Sequence, residues 1–185
     1  MSERRDLDII AGLVPQGSRV LDLGCGTGLV GVFALVAWPD CEVVFQDLNA
    51  PVLLETTARN VALSAGASGL ARSRFVAGAW EAGPDALGLP AHAFDLVATA
   101  DTLYEAASYP ALLRVASRAL VPGAGRFLVS AKRVYFGCSG SVEAFRAHIA
   151  RAPPPAALTG ERVLRSVVDG GSNVRDVIEW RRASR

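Results

Sequence analysis

The chain has 185 residues, of which 51% are hydrophobic, and a formal net charge of +1. That length and apolar content suit one domain with its own core, and the near-neutral balance excludes a global field for nucleic acid. Cys25, Cys41 and Cys138 are odd in number and lack ligand spacing, which excludes a disulfide framework or a zinc site; no apolar run approaches the roughly 18 residues of a membrane helix, and no leader core opens the chain.

In chain order, Asp6 to Val14 reads as a short amphipathic helix with Leu7, Ile10, Ala11 and Val14 on one face, ended by Pro15-Gln-Gly17. Val20, Leu21 and Leu23 form the apolar run of a buried parallel strand. Gly24, Gly26 and Gly28 then allow a tight turn and close approach of a ligand to the backbone. Leu29, Val32, Phe33 and Val36 repeat at helical spacing, so a crossover helix spans 28–37. Glu42 to Gln46 is a second strand, closed by Asp47, and Pro51 opens a helix that runs to about Ser64 and stops at Gly66. A short third strand covers Arg74–Ala77, a Gly/Pro/Ala-rich loop 81–92, and a fourth strand Phe94–Ala100. A helix starts near Ser108 and Pro110 and buries Leu112, Val115, Ala116 and Ala119. Strand five covers 126–131, another helix Ser141–Ala150, and 161–169 with 173–181 form a closing hairpin around Gly170-Gly171.

This alternation predicts an α/β fold: a Rossmann-like, doubly wound, mostly parallel seven-stranded sheet with an antiparallel C-terminal hairpin. Ligands of such sheets sit beyond the carboxyl ends of the strands, at the switch point. Asp22, Asp47, Trp80 and Asp101 all fall at or just past strand ends and are expected to converge there. Residues 1–125 hold 8 arginines against 13 acidic residues, and residues 126–185 hold 11 basic against 5 acidic. Surface drift accounts for such a split; the sharper alternative is a basic lobe that meets an acidic or RNA-associated partner.

Asp47 lies about 20 residues beyond the glycines, where a carboxylate takes ribose hydroxyls; capping of the next helix is the alternative. Asp22 suits a ligand with a positive group, held directly or through water. Trp80 offers a face for adenine or is simply a core or surface tryptophan. Gly-x-Gly-x-Gly after an acidic strand end favours S-adenosylmethionine over a nicotinamide dinucleotide, whose turn reads Gly-x-Gly-x-x-Gly after an apolar strand.

Leu-Asp-Leu-Gly-Cys-Gly-Thr-Gly (21–28) resembles the first motif of the class I, seven-strand methyltransferases. Val-Phe-Gln-Asp-Leu-Asn (44–49) with Asn60, Gly-Ala-Trp (78–80), 95–104 and 131–145 together resemble the eukaryotic histidine protein methyltransferases, within the wider methyltransferase-like lysine methyltransferases. The resemblance covers nearly the whole chain. It implies that Asp22, Gly24, Cys25, Gly26, Asp47, Leu48, Trp80, Thr99 and Ala100 surround S-adenosylmethionine. It also implies that Asp101 and Tyr104 serve methyl transfer and that Tyr135 and Phe136 shape the substrate side, with a packed core as the alternative for those two. The implied acceptor is a protein side chain, first a histidine of a ribosomal protein and alternatively a lysine. A non-catalytic binding module is the reading from another class. The chain is expected to act as a monomer in the cytoplasm or nucleus, with no membrane and no sequence-specific nucleic acid. Relatives of that kind carry a long segment with a Trp-Glu motif before the first strand, which is not expected here, so 1–185 is read as a single domain. They also carry Glu where Asp101 stands.

Overall fold

The computed structural model describes residues 17–152, 158–169 and 173–184; the helix expected over 6–14 lies outside them. The elements are β1 (Arg19–Leu23), α1 (Leu29–Ala37), β2 (Glu42–Asp47) and a helical turn at Ala50–Val52, which continues through a π-helical turn (Leu53–Thr57) into α2 (Ala58–Ala71). There follow β3 (Ser73–Ala77), β4 (Leu96–Ala100), α3 (Tyr109–Ala119), β5 (Arg126–Lys132), α4 (Val142–Arg151), β6 (Leu158–Asp169) and β7 (Asn173–Arg182). The sheet order is β3-β2-β1-β4-β5-β7-β6. Strands β1 to β5 pair in parallel, and β7 enters antiparallel between β5 and β6. The doubly wound sheet and the antiparallel hairpin are thus as expected, with the switch point between β1 and β4.

Local chemistry sets most boundaries. Gly66 adopts φ 64°, ψ −162° and interrupts α2 where the helix was expected to stop, although helical backbone resumes to Ala71. Pro110 occupies the first turn of α3, where an N–H is dispensable. The Ser141 hydroxyl accepts the Ala144 N–H at 3.0 Å and caps α4. The fourth strand begins two residues later than expected. Phe94 makes only an isolated bridge to Leu120, and the Asp95 carboxylate takes the Arg19 N–H, so the β1 ladder starts at Leu96. The closing hairpin is longer than its apolar pattern suggested, and β6 is irregular around Thr159–Arg165.

Strand alternation sends residues to two apolar layers. Val20, Val43, Phe45, Leu96 and Leu128 face α1 and α2, where Leu35 and Val61 are buried. Leu21, Leu23, Val44, Val97, Phe127, Val129, Ile178 and Trp180 face α3 and α4, where Leu112, Val115, Phe145 and Ile149 are buried. Arginines of the C-terminal third are matched to carboxylates. Arg126, Arg162 and Arg181 converge on the buried Glu179, Arg133 pairs with Asp176, and Arg146 with Glu161. Several of these arginines nevertheless stay more than half exposed, Arg133, Arg162 and Arg181 among them.

Candidate active site

A cleft of about 350 Å³ opens beyond the carboxyl ends of β1, β2, β3 and β4. Gly24, Asp47, Leu48, Trp80, Ala100, Asp101 and Tyr104 line it, as do Asn49, Gly78, Ala79, Glu81, Thr102, Glu105 and Ser108.

One wall is the turn between β1 and α1. Gly24 has φ +69°, and a Cβ there would stand 2.9 Å from the Thr102 methyl and 3.0 Å from the Trp80 ring. Gly26 has φ +51° and nothing within 4 Å of where a Cβ would be, so its bare backbone faces open space. The turn is held from several sides. Its Gly26 N–H donates to Asp47 Oδ2 at 2.9 Å, and the Asn49 N–H donates to the other oxygen at 3.0 Å. The π-helical turn brings the Thr57 hydroxyl onto the Gly26 carbonyl at 2.6 Å, and Asn60 donates to the Thr27 carbonyl at 2.8 Å. Both of those anchors come from the helix after β2.

Gln46, fully buried, entered the sequence reading only as part of the 44–49 motif, with no role of its own. Its amide donates to the Gly78 carbonyl at 2.7 Å, and its oxygen accepts the Trp80 indole N–H at 2.7 Å. One side chain thereby links β2 to the Gly-Ala-Trp turn and sets the indole against Gly24. A polar residue between Phe45 and Asp47 in an apolar strand was the available signal.

Asp22 lies elsewhere than expected. Alternation along β1 turns it with Val20 toward α1, where its carboxylate accepts the Gly31 N–H at 2.9 Å. It is buried and does not line the cleft, so it supports the turn from behind and is not placed to meet a ligand's positive group. Burial pushes its carboxyl up to about 7; the Gly31 bond opposes that and the nearby Asp47 adds to it. Cys25 is half-buried, and burial, with Asp22 and Asp47, pushes its thiol up to about 12, which rules out a thiolate near neutral pH. Thr99 is also buried behind the wall, donating to the Leu23 carbonyl at 2.7 Å and lying 2.8 Å from the Thr102 hydroxyl.

The opposite wall follows β4. Asp101 adopts φ +54°, its N–H donates to the Ser130 carbonyl, and its carboxylate takes the Tyr135 hydroxyl at 3.0 Å and the Arg175 guanidinium at 2.9 Å. Burial raises this carboxyl, but Arg175 and Tyr135 outweigh it and hold it below the usual carboxylate range. Burial, with the Asp101 charge, pushes the Tyr135 hydroxyl up. Tyr104 meets Tyr135 edge to face at 6.4 Å between centroids. Phe136 is 77% exposed and lies outside the cleft lining, so it is not a core residue. Thr102, Glu105 and Arg175 had no role in the sequence reading; Arg175 comes from the far end of the chain.

A glycine turn feeding a helix N-terminus, an acid closing β2 and a cleft at the switch point define an α/β domain of the doubly wound class, whose members bind ligands at that crevice. Solved methyltransferases share this fold. The geranyl diphosphate C-methyltransferase of Streptomyces coelicolor A3(2), in complex with S-adenosyl-L-homocysteine, matches with a TM-score of 0.69 and 16% identity over 98% of this chain and 79% of that one. The chain belongs to the family described as lysine methyltransferase, whose model matches residues 12–139. The histidine protein methyltransferase 1 homolog of Dictyostelium discoideum is 33% identical over 164 residues, 89% of this chain and 50% of that protein. The EEF1A lysine methyltransferase 3 of Mus musculus is 34% identical over 126 residues, 66% of this chain and 49% of that protein. The chain spans about half the length of these curated relatives.

Proposed function

We propose that this chain transfers a methyl group from S-adenosylmethionine to a nitrogen of a protein side chain, a histidine in preference to a lysine. The observation that carries the reading is one cleft with two unlike walls: the glycine turn at Gly24 with Asp47 on one side, and Asp101 with Tyr104 on the other, Tyr135 lying outside the lining and bonded to Asp101.

The residues fit an adenosyl amino acid. Asp47 accepts two backbone N–H groups, and a carboxylate has about four acceptor positions, which leaves capacity for ribose hydroxyls. Gly26 leaves open the space that a side chain would fill, and Trp80, its N–H satisfied by Gln46, presents an apolar ring to the cleft. When bound, the cofactor supplies a methyl group on a sulfonium sulfur, which departs as a neutral thioether with the C–S electrons while the nitrogen lone pair forms the new bond.

A neutral imidazole already has that lone pair near pH 7, so no strong base is required. Asp101 accepts the N–H of the ring nitrogen that does not react. That bond fixes the tautomer and steadies the positive charge as it develops; the carboxylate stays ionised, and the proton leaves the product ring to water. The greater coverage by histidine-directed relatives supports this acceptor; the Tyr104–Tyr135 pair, able to wall a channel for an uncharged amine, supports lysine as the second reading. A ribosomal protein is the substrate class implied by the resemblance. The proposed partner is a protein and not a specific nucleic-acid sequence, and the chain is proposed to act as a monomer.

Isothermal titration with S-adenosylhomocysteine is expected to give saturable binding, and labelled cofactor with a cell lysate is expected to mark a protein. Mass spectrometry of that protein should show methylhistidine. Methyllysine would favour the second reading, and binding without any labelled product would favour a non-catalytic module.

A further inference from the structure

The Asp101 carboxylate is held by groups from two places. Arg175, near the start of β7, reaches Oδ2 at 2.9 Å, and the Tyr135 hydroxyl donates to Oδ1 at 3.0 Å. The Lys132 backbone N–H donates to the Tyr135 oxygen at 3.3 Å, which orients the phenol's single hydrogen toward Asp101. The Lys132 ammonium lies 5.9 Å from the Tyr135 ring centroid. Antiparallel register explains how the tail of the chain arrives here: Arg175 pairs with Lys132, so the first residues of β7 lie beside the cleft end of β5. The backbone of Asp101 is fixed too, in a left-handed conformation that, among the described residues, only His92 shares without being glycine.

We propose that Arg175 is a positioning residue for acceptor choice, clamping one oxygen of Asp101 so that the carboxylate meets the cleft with its charge already matched and selects a neutral imidazole, whose unreacting ring nitrogen carries an N–H, over an ammonium. This rests on the methyltransferase reading above. A lone carboxylate at the mouth would hold a lysine in its protonated, unreactive form. Here Arg175 and Lys132 offset that attraction, while the N–H of a neutral imidazole still finds a lone pair on either oxygen. Tyr135 and Tyr104 are the remaining titratable groups on this wall. Glu81 and Glu105 also line the cleft, but both are exposed to water, which weakens their pull on a cation.

The test uses the full chain with Arg175→Met, Arg175→Lys and Tyr135→Phe. In ligand-free protein, the carboxyl carbon of Asp101 is followed by NMR against pH. Arg175→Met is expected to move its midpoint upward, Tyr135→Phe less so, and Arg175→Lys to restore most of the wild-type value. S-adenosylhomocysteine binding should stay within about twofold, since the clamp is on the other wall, and thermal melting confirms folding. The peptide found by the labelling experiment is then synthesised with histidine or lysine at the acceptor. Arg175→Met should lower kcat/KM on the histidine peptide about tenfold near neutral pH, shift the acid limb of its profile upward and raise the lysine-to-histidine ratio. An unchanged Asp101 midpoint, or equal losses on both peptides with an unshifted profile, would overturn the proposal. If the wild type binds no cofactor, the methyltransferase reading falls, and the NMR arm still decides whether Arg175 governs Asp101.

Discussion

The two walls of the cleft are built by different physics. The wall from β1 and β2 is tied by buried or half-buried neutral and backbone bonds: Asp22 to the Gly31 N–H, Gln46 to Trp80 and Gly78, Thr57 to the Gly26 carbonyl. The wall from β4 and β5 is tied by an ion pair and an aromatic contact that water reaches: Arg175 to Asp101 and Tyr104 to Tyr135. A buried network has one low-energy arrangement because each unmet polar group is costly. An exposed one tolerates exchange of partners at little cost. The first wall is suited to an invariant ligand and the second to one that varies between relatives, which matches a family whose members are named for different acceptors.

Gly24→Leu should break the first wall most. Its backbone is in the left-handed region and its Cβ would press on Thr102 and Trp80, so S-adenosylhomocysteine affinity should fall by about 100-fold, near 3 kcal/mol. Circular dichroism should still show a folded sheet; retained affinity would mean that the ligand does not lie on this turn.

Next is a pH effect with opposite signs on the two walls. The native Asp22 carboxyl titrates at about 7, so between its unfolded value near 4 and about 7 the folded state holds a proton that the unfolded state has lost. Stability should therefore fall as pH rises through that window, by up to about 4 kcal/mol, and then level off. Asp22→Asn keeps an acceptor for the Gly31 N–H and should abolish the slope in urea melts. Asp101, held low by Arg175 and Tyr135, contributes the other way: its stabilisation is present above its unfolded value and is lost as pH falls through the native one.

The smallest effect is expected just outside the second wall. Phe136 is 77% exposed, so Phe136→Ala should change stability by less than about 0.5 kcal/mol and leave cofactor affinity alone. Its KM for the protein acceptor should rise a few-fold. An unaltered KM would remove the loop after β5 from the acceptor surface.

The sheet order and hairpin were legible because apolar strand runs and glycine turns carry them locally. Asp47, Trp80 and Asp101 reached the cleft for the same reason, each being tied to a strand end. Asp22 misled because β1 continues to Leu23: the acid is one residue inside the strand, and the two-residue period turns it toward α1. Gln46 was visible as a polar residue in an apolar strand, but its role depends on where Trp80 folds back. Arg175 carried no local signal, since its place at the cleft follows from long-range register between β5 and β7.

That register also orders the birth of the molecule. Strand β7 slots between β5 and β6, bringing Ile178 and Trp180 into the core, and among the described strands it is the last in chain order. On the ribosome, the glycine turn and its supports can assemble while β5 still presents an unpaired edge. The Asp101 clamp closes only after residues 173–182 have emerged and threaded into the gap. The residues of the glycine-turn wall thus precede in the chain the arginine on which the Asp101 clamp depends.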